Sequence, residues 1–315
     1  MADQGRSENP LATSLGFVAI LLWSTTVPAA RSVLEKFGPL FGMSLVFSIS
    51  GLLLLLLTSI RARGFGWVAR LSKKHLVVCG PLFIGYLCFF YLALGIAKTR
   101  TETVVAGLIN YLWPMMILVF SIPLLRKRPH PFTFVLGIVI SLGGIVLAMS
   151  VQAESLSALV GALGKSGLPI LLAFVGSLMW GLYSNLAKRY PQTVSTGAVG
   201  LFLLVTGFAL LGTGLGEWQK VIWNLRVVIE LAYMIVFPAS LAYCFWDIAM
   251  RDGDITLLGS ASNLIPVLAT LIASAYLQVT LRWELLGGAL GVVFGAFLCQ
   301  IAFRYKHILL FRRES

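Results

Sequence analysis

Ten long apolar runs follow one another along the chain, at residues 13–36, 39–60, 75–97, 103–125, 132–151, 167–187, 195–216, 228–250, 255–277 and 283–303. Each is close to the ~20 residues that carry an α-helix across the hydrocarbon core of a bilayer. The pattern predicts an all-α integral membrane protein of ten transmembrane helices, with little chain left for a soluble domain. Residues 1–12 are polar and no cleavable signal is expected there.

Two of the runs are interrupted in the same way. Asn110-Tyr111-Leu112-Trp113-Pro114 and Ser262-Asn263-Leu264-Ile265-Pro266 lie 152 positions apart. A proline inside a helix removes one hydrogen bond and frees the carbonyl four residues earlier, which here belongs to Asn110 and to Ser262. In lipid a freed carbonyl must be satisfied by protein, water or a ligand. Matched breaks in two halves of a chain point to the binding site of a transporter.

The matching extends further. At the same offset Tyr91 pairs with Tyr243, Ile96 with Ile248, Ala97 with Ala249 and Gly107 with Gly259. At 151 Gly137 pairs with Gly288 and Gly144 with Gly295; at 157 Trp23 pairs with Trp180 and Ala30 with Ala187. This divides the chain into a first five-helix repeat, 1–152, and a second, 153–315. Five spans is an odd number, so the second repeat enters the membrane the other way up.

Composition agrees with a membrane solvent: 58% of residues are hydrophobic and 11% charged, against ~25% charged in soluble domains, and mean hydropathy is +0.92. The net charge of +12 is a topology signal. With the N-terminus inside, only Arg31, Lys36, Lys98, Arg100, Lys165, Lys220, Arg226 and Arg282 of the 24 Lys and Arg residues fall outside. The excess of basic residues on the inner side puts both termini in the cytoplasm. No basic face rests on a soluble domain, so nucleic acid is not an expected partner. The cysteines Cys79, Cys88, Cys244 and Cys299 all lie within apolar runs and imply neither metal site nor disulfide framework.

Small residues form stripes at helical spacing, Gly287/Gly291/Gly295 on the tenth span and Gly137/Ser141/Gly144/Ala148 on the fifth. These read as helix-packing faces within the chain, so a monomer is expected, with a dimer through the stripes as the alternative. Asn110, Trp113 and Ile117 share a face of the fourth span; Gly259, Asn263, Pro266 and Thr270 share one of the ninth. Trp180, Tyr183 and Ser184 cluster on the sixth, Tyr86, Phe90 and Tyr91 on the third, and Trp23, Thr26 and Tyr243 add to them. Trp67, Trp218, Trp223 and Trp283 flank spans, as interfacial tryptophans do, whereas Trp113 lies deep and is expected to face a cavity. The three histidines and most carboxylates lie at span ends. Asp247 is the deepest, about one turn from the end of its span. No buried Lys or Arg is available for a phosphorylated substrate, which argues against a sugar-phosphate or nucleotide-sugar carrier. A lipid-modifying enzyme would need a catalytic constellation. The nearest approach is Asp252-Gly253-Asp254, where a capping turn is expected in place of a metal site. No cofactor or metal is implied. The expected ligand is a small neutral molecule, aromatic or apolar, and a zwitterionic amino acid fits.

Leu22-Trp23-Ser24-Thr25, the run Arg31–Pro39, Ser50-Gly51-Leu52-Leu53-Leu54 and Asn110–Pro114 resemble the YddG-type aromatic amino-acid exporters, EamA-type members of the drug/metabolite transporter superfamily. The resemblance covers nearly the whole chain. It implies ten spans in two inverted halves and export of aromatic and other neutral amino acids, or drug-like metabolites, across a bacterial inner membrane. On this reading Trp23, Tyr86, Tyr91, Asn110, Trp113, Trp180, Tyr183, Tyr243 and Asn263 bind substrate, with Trp113 and Trp180 flanking its ring. Pro114, Pro266, Gly107 and Gly259 act as hinges.

Overall fold

The computed structural model describes residues 8–26, 33, 34, 36–150, 157, 167–192, 194–216, 223–277 and 283–311. Arg6, Ala30, Arg31, Ser32, Glu35, Lys165, Trp218, Lys220, Arg282, Arg312 and Arg313 lie outside the described residues, as do the side chains of Ala148 and Thr270.

The first half comprises α1 (Pro10–Ser24), α2 (Pro39–Arg61), α3 (Lys73–Ile96), α4 (Arg100–Asn110), α5 (Trp113–Leu124) and α6 (Pro131–Ser150). The second comprises α7 (Gly167–Arg189), α8 (Ser195–Gly214), α9 (Leu225–Met234), a π-helical segment (Ile235–Leu241), α10 (Ala242–Asp252), α11 (Ile255–Ala261), α12 (Ile265–Leu277) and α13 (Trp283–Phe311). Among the described residues seven helical segments are long and apolar enough to cross a membrane, and three shorter apolar ones accompany them.

Local chemistry sets the helix starts. The Asn9 side chain accepts from the Leu11 amide, and Pro10 opens α1 with no donor to lose. Thr99 caps α4, its hydroxyl accepting from the Glu102 amide, and the Glu102 carboxylate accepts from the Lys98 amide just before the cap. Asp254 caps α11, its Oδ1 accepting from the Thr256 and Leu257 amides, while Asp252 pairs with Arg251. The Asp252–Asp254 turn is therefore a helix cap.

The helices pack through small residues, since lipid supplies no hydrophobic drive between them. On α6, a Cβ at Gly144 would lie 2.6 Å from the Gly288 carbonyl oxygen and 2.7 Å from the Val292 nitrogen of α13. On α13, one at Gly295 would lie 2.5 Å from the Ser141 nitrogen. The Ser141 hydroxyl donates to the Val292 carbonyl across this seam. Both predicted stripes are thus used inside the chain, although Gly287 stands at the edge and meets only Leu147. A second seam joins α2 and α8, where a Cβ at Gly51 would lie 2.5 Å from the Leu204 nitrogen. α3 packs on α7, α1 on α10, and α7 also carries α4 and α5.

The exterior is apolar. Leu11, Ile60, Val77, Phe132, Leu225 and Leu290 are each at least 70% exposed. A soluble monomer rarely shows so much apolar surface; a bilayer covers it. Of the tryptophans expected at the interface, Trp223 and Trp283 are exposed, but Trp67 is 4% exposed. Trp67 lies over Gly197, where there is no side chain to displace it, and its indole donates to Ser59.

Candidate functional site

Neither proline sits in mid-helix. α4 ends at Asn110, the chain turns through Tyr111 and Leu112, and Pro114 falls in the first turn of α5. Pro266 likewise follows a 3₁₀ turn (Ser262–Leu264) as the second residue of α12. At these positions a missing N–H costs nothing within the helix. The carbonyls that the sequence leaves free are taken: that of Asn110 accepts from the Ser177 hydroxyl at 3.0 Å, and that of Ser262 from the Ile265 amide.

The break at 110–113 turns side chains into a cavity of about 250 Å³. Trp23 and Thr26 line it from the end of α1, and Tyr86, Leu87, Phe90 and Tyr91 from α3. Thr103, Gly107 and Asn110 come from α4, Tyr111 from the break and Trp113 from α5. Trp180 of α7, Tyr243 of α10 and Ile265 of α12 complete it. Among the described residues no carboxylate, lysine, arginine or histidine lines it.

The aromatic walls combine edge-to-face, tilted and stacked pairs, the edge-to-face arrangement being one that ring quadrupoles prefer. Trp23 sits centrally, 6.0 Å from Trp113, 5.8 Å from Trp180 and 5.2 Å from Tyr243 between ring centroids. Its indole N–H donates to the Pro238 carbonyl in the π-helical segment. Trp113 and Trp180 meet at 85° with centroids 6.3 Å apart. They touch each other and form a corner, which leaves no slot for a ring between them.

Three wall residues carry a buried polar atom with no partner: Asn110 Oδ1, Thr26 Oγ1 and Trp180 Nε1. Leaving such a group unmade costs about 1–3 kcal/mol, so each is a point where a polar ligand gains a bond that the protein lacks.

Two of the nine expected binding residues are elsewhere. Tyr183 is fully buried, and its hydroxyl donates to Asp247 Oδ1 at 2.8 Å. With Trp246, whose indole donates to Ser184, this pair underlies the cavity. Asn263 is buried on α12's approach, and its amide donates to the Ser260 carbonyl. Of the expected hinges, Gly107 lines the cavity, whereas Gly259 abuts Ile117 and Leu118. Trp246, which lies within 5.5 Å of both Trp23 and Trp113, is one turn from Tyr243 and was findable by that spacing. Leu87 and Thr103 carried no distinguishing signal in the sequence, whereas Tyr111 and Ile265 lie within the two matched breaks.

The cavity reaches the surface at Thr103, at the end of the bundle where α1 and α3 finish and α4 begins. The opposite end is closed. There the Asn9 amide donates to the Asp252 carbonyl, the Asp254 amide to Thr13, and the Arg251 guanidinium to the Gln192 carbonyl.

A helical bundle with an apolar exterior, enclosing an aromatic cavity that opens at one end, is the architecture of a membrane transporter. The chain belongs to the EamA-like transporter family, which residues 11–150 and 167–300 match separately; the resemblance read from the sequence is borne out. It is 30% identical to the aromatic amino acid exporter YddG of Salmonella typhimurium (strain 14028s / SGSC 2262) over 297 residues, 94% of this chain and 98% of that one. It is 30% identical to the exporter of that name from Escherichia coli (strain K12), over 93% of this chain and 98% of that one. A solved crystal structure 28% identical to it superimposes with a TM-score of 0.77, covering 95% of this chain and all of the other. The protein is a multi-pass membrane transporter.

Proposed function

We propose that the protein exports aromatic and other neutral amino acids across the bacterial inner membrane by alternating access, on ten spans arranged as two inverted halves. The observation that carries this is the cavity: aromatic walls, no formal charge, and unpaired polar atoms of both kinds. Asn110 Oδ1 is an acceptor and suits the ammonium group. Trp180 Nε1 and the Thr26 hydroxyl are donors and suit the carboxylate. At about 250 Å³ the space lies below the ~300–1,000 Å³ of sites for drug-sized ligands, a size suited to an amino acid.

The repeat supports the same reading. Three pairs of sequence mates, Trp23 with Trp180, Tyr91 with Tyr243 and Trp113 with Ile265, all line this one cavity, as expected of a site on a pseudo-twofold axis. The helix pairings are also exchanged by the repeat: α3–α7 corresponds to α10–α1, while α2–α8 and α6–α13 map onto themselves. The closed end carries Arg61, Arg70, Lys73, Lys74, Lys188, Arg189 and Arg251, so the charge bias makes it cytoplasmic and the cavity outward-facing. Tyr183–Asp247 and Trp246–Ser184 then form the inner gate, which an inward-facing state must open.

The test is counterflow in proteoliposomes. Wild-type protein is expected to accumulate labelled Phe transiently when unlabelled Phe is trapped on the other side. Asn110→Ala is expected to raise the KM for Phe tenfold or more, since a hydrogen bond to a charged group contributes about 1.5–3 kcal/mol. No counterflow by the wild type with Phe, Tyr or Trp would overturn the assignment, and simple channel flux would show the same absence.

The hinge reading of Pro114 makes a separate claim. Proline has no N–H to donate to the carbonyl four residues earlier, so Pro114 cannot close the hydrogen bond to Asn110 that a continuous helix would need and keeps α4 and α5 from fusing. Pro114→Ala is expected to lower the transport rate several-fold while leaving Phe affinity nearly unchanged. Unchanged transport at normal expression would make the proline a static kink.

A further inference from the structure

A second cavity, of about 420 Å³, lies at the closed end between α2, α8 and α10. Arg61 closes α2, Arg70 follows on the short 3₁₀ turn Val68–Arg70, and Arg251 ends α10; all three line this cavity. Thr58 and Thr196 stand between them and Trp67 forms one wall. Among the described residues no carboxylate lines it, and Arg61 makes no ion pair there. Arg251 is held in place by Asp252 at 2.8 Å and by the Gln192 carbonyl. Arginine presents a planar fork of donors matched to phosphate oxygens, and three of them line this one hollow, Arg251 with its charge paired to Asp252; the transport cavity does not explain the grouping.

The segment that carries two of these arginines also exposes apolar side chains: Ile60 is 72% exposed, Phe65 75% and Val68 50%, and all three lie within five residues of Arg61 or Arg70 in sequence. A soluble phosphate needs no such apron, while a lipid whose phosphate enters the hollow would lay its acyl chains along it. Basic pockets between spans on the cytoplasmic side have this use in general.

We propose that the Arg61–Arg70–Arg251 cavity binds a phosphate group, with the exposed apolar side chains favouring that of an anionic lipid. Because Arg251 ends the helix that carries Tyr243, Trp246 and Asp247, an occupant would brace the inner gate's helix in the outward-facing form.

The experiment uses purified full-length protein in neutral detergent and follows its thermal unfolding. The additions are dioctanoyl phosphatidylglycerol, dioctanoyl phosphatidylcholine or inorganic phosphate. Arg61 and Arg70 are exposed, so R61Q/R70Q should fold normally; K73Q/K74Q removes the same charge at the same end outside the cavity. Phosphatidylglycerol is expected to raise the wild-type midpoint by several degrees, by preferential binding to the native state, and phosphatidylcholine is not. R61Q/R70Q should lose that rise and K73Q/K74Q keep it. If inorganic phosphate reproduces the rise, and R61Q/R70Q again loses it, the site stands and its ligand is a free phosphate. No rise with either phosphate source, an equal rise in R61Q/R70Q, or an equal loss in K73Q/K74Q would overturn the proposal.

Discussion

Gly144→Leu is expected to abolish recovery of folded protein, whereas Gly143→Leu, one residue away, is expected to leave it intact. The difference lies in what a new side chain would meet. At Gly144 the Cβ alone would come within 2.7 Å of two backbone atoms of α13, the Gly288 oxygen and the Val292 nitrogen. Backbone cannot step aside as a flexible side chain can. The two helices would have to separate along their length, breaking the Ser141–Val292 hydrogen bond and reopening the gap at Gly137 and Gly295. Overpacking a well-filled core by side-chain volume typically costs 1–3 kcal/mol; here the obstruction is backbone, and the seam's dispersion contacts are lost as well. At Gly143 a Cβ meets nothing within 4 Å, so leucine there points to lipid. Size-exclusion profiles of the two variants in detergent decide the matter. A monodisperse peak for Gly144→Leu at wild-type yield would show that the α6–α13 seam does not hold the bundle together.

That seam was legible in the sequence because small residues at three- and four-residue spacing have few other uses in a membrane helix. The aromatic cavity was legible for a different reason: Trp113 lies too deep for an interfacial role, and Trp23 and Trp180 recur in register. A polar residue beside a break need not face the cavity. Asn263 corresponds in register to Tyr111, which lines the cavity, yet Asn263 is buried in the 3₁₀ turn Ser262–Leu264 and its amide donates to the Ser260 carbonyl. Tyr183 was placed beside Trp180 by a correct three-residue spacing, yet that spacing also moves it a turn toward the closed end. Periodicity gives the face of a helix but not the depth at which a cavity stops.

The π-helical segment at Ile235–Leu241 was not legible at all. Pro238 stands where the first half has Tyr86 at the same offset of 152, so no matched proline marks it. The wider turn depends on partners far away in sequence: Ser50 donates to the Ile235 carbonyl and Trp23 to the Pro238 carbonyl. π-bulges concentrate at functional sites, and this one positions Tyr243 and Trp246 against Trp23. Which end of the cavity is open was likewise beyond the sequence. It rests on contacts between residues far apart in sequence, such as Tyr183–Asp247, which no local pattern encodes.

Trp113→Ala is expected to separate aromatic from small substrates. Trp113 is 4% exposed and meets Trp23, Trp180 and Trp246 with centroids 6.0, 6.3 and 5.5 Å away. Each such pair contributes about 0.5–1.5 kcal/mol beyond burial, and a substrate ring resting in the Trp113–Trp180 corner would join the same network. Ile265, 152 positions further on and lining the same cavity, offers an aliphatic surface in place of a second ring. Phe transport is therefore expected to fall tenfold or more, and Thr transport by no more than a few-fold, because Thr depends on Asn110 and the donors at Thr26 and Trp180. Trp113→Phe, which keeps a ring, should restore most of the Phe rate and so separates loss of the site from loss of packing. The measurement is the Phe-to-Thr ratio of initial rates in proteoliposomes at matched protein content. An unchanged ratio, whether both rates persist or both collapse, would remove Trp113 from the recognition of the substrate ring and leave it a packing residue of the α1–α5–α7 junction.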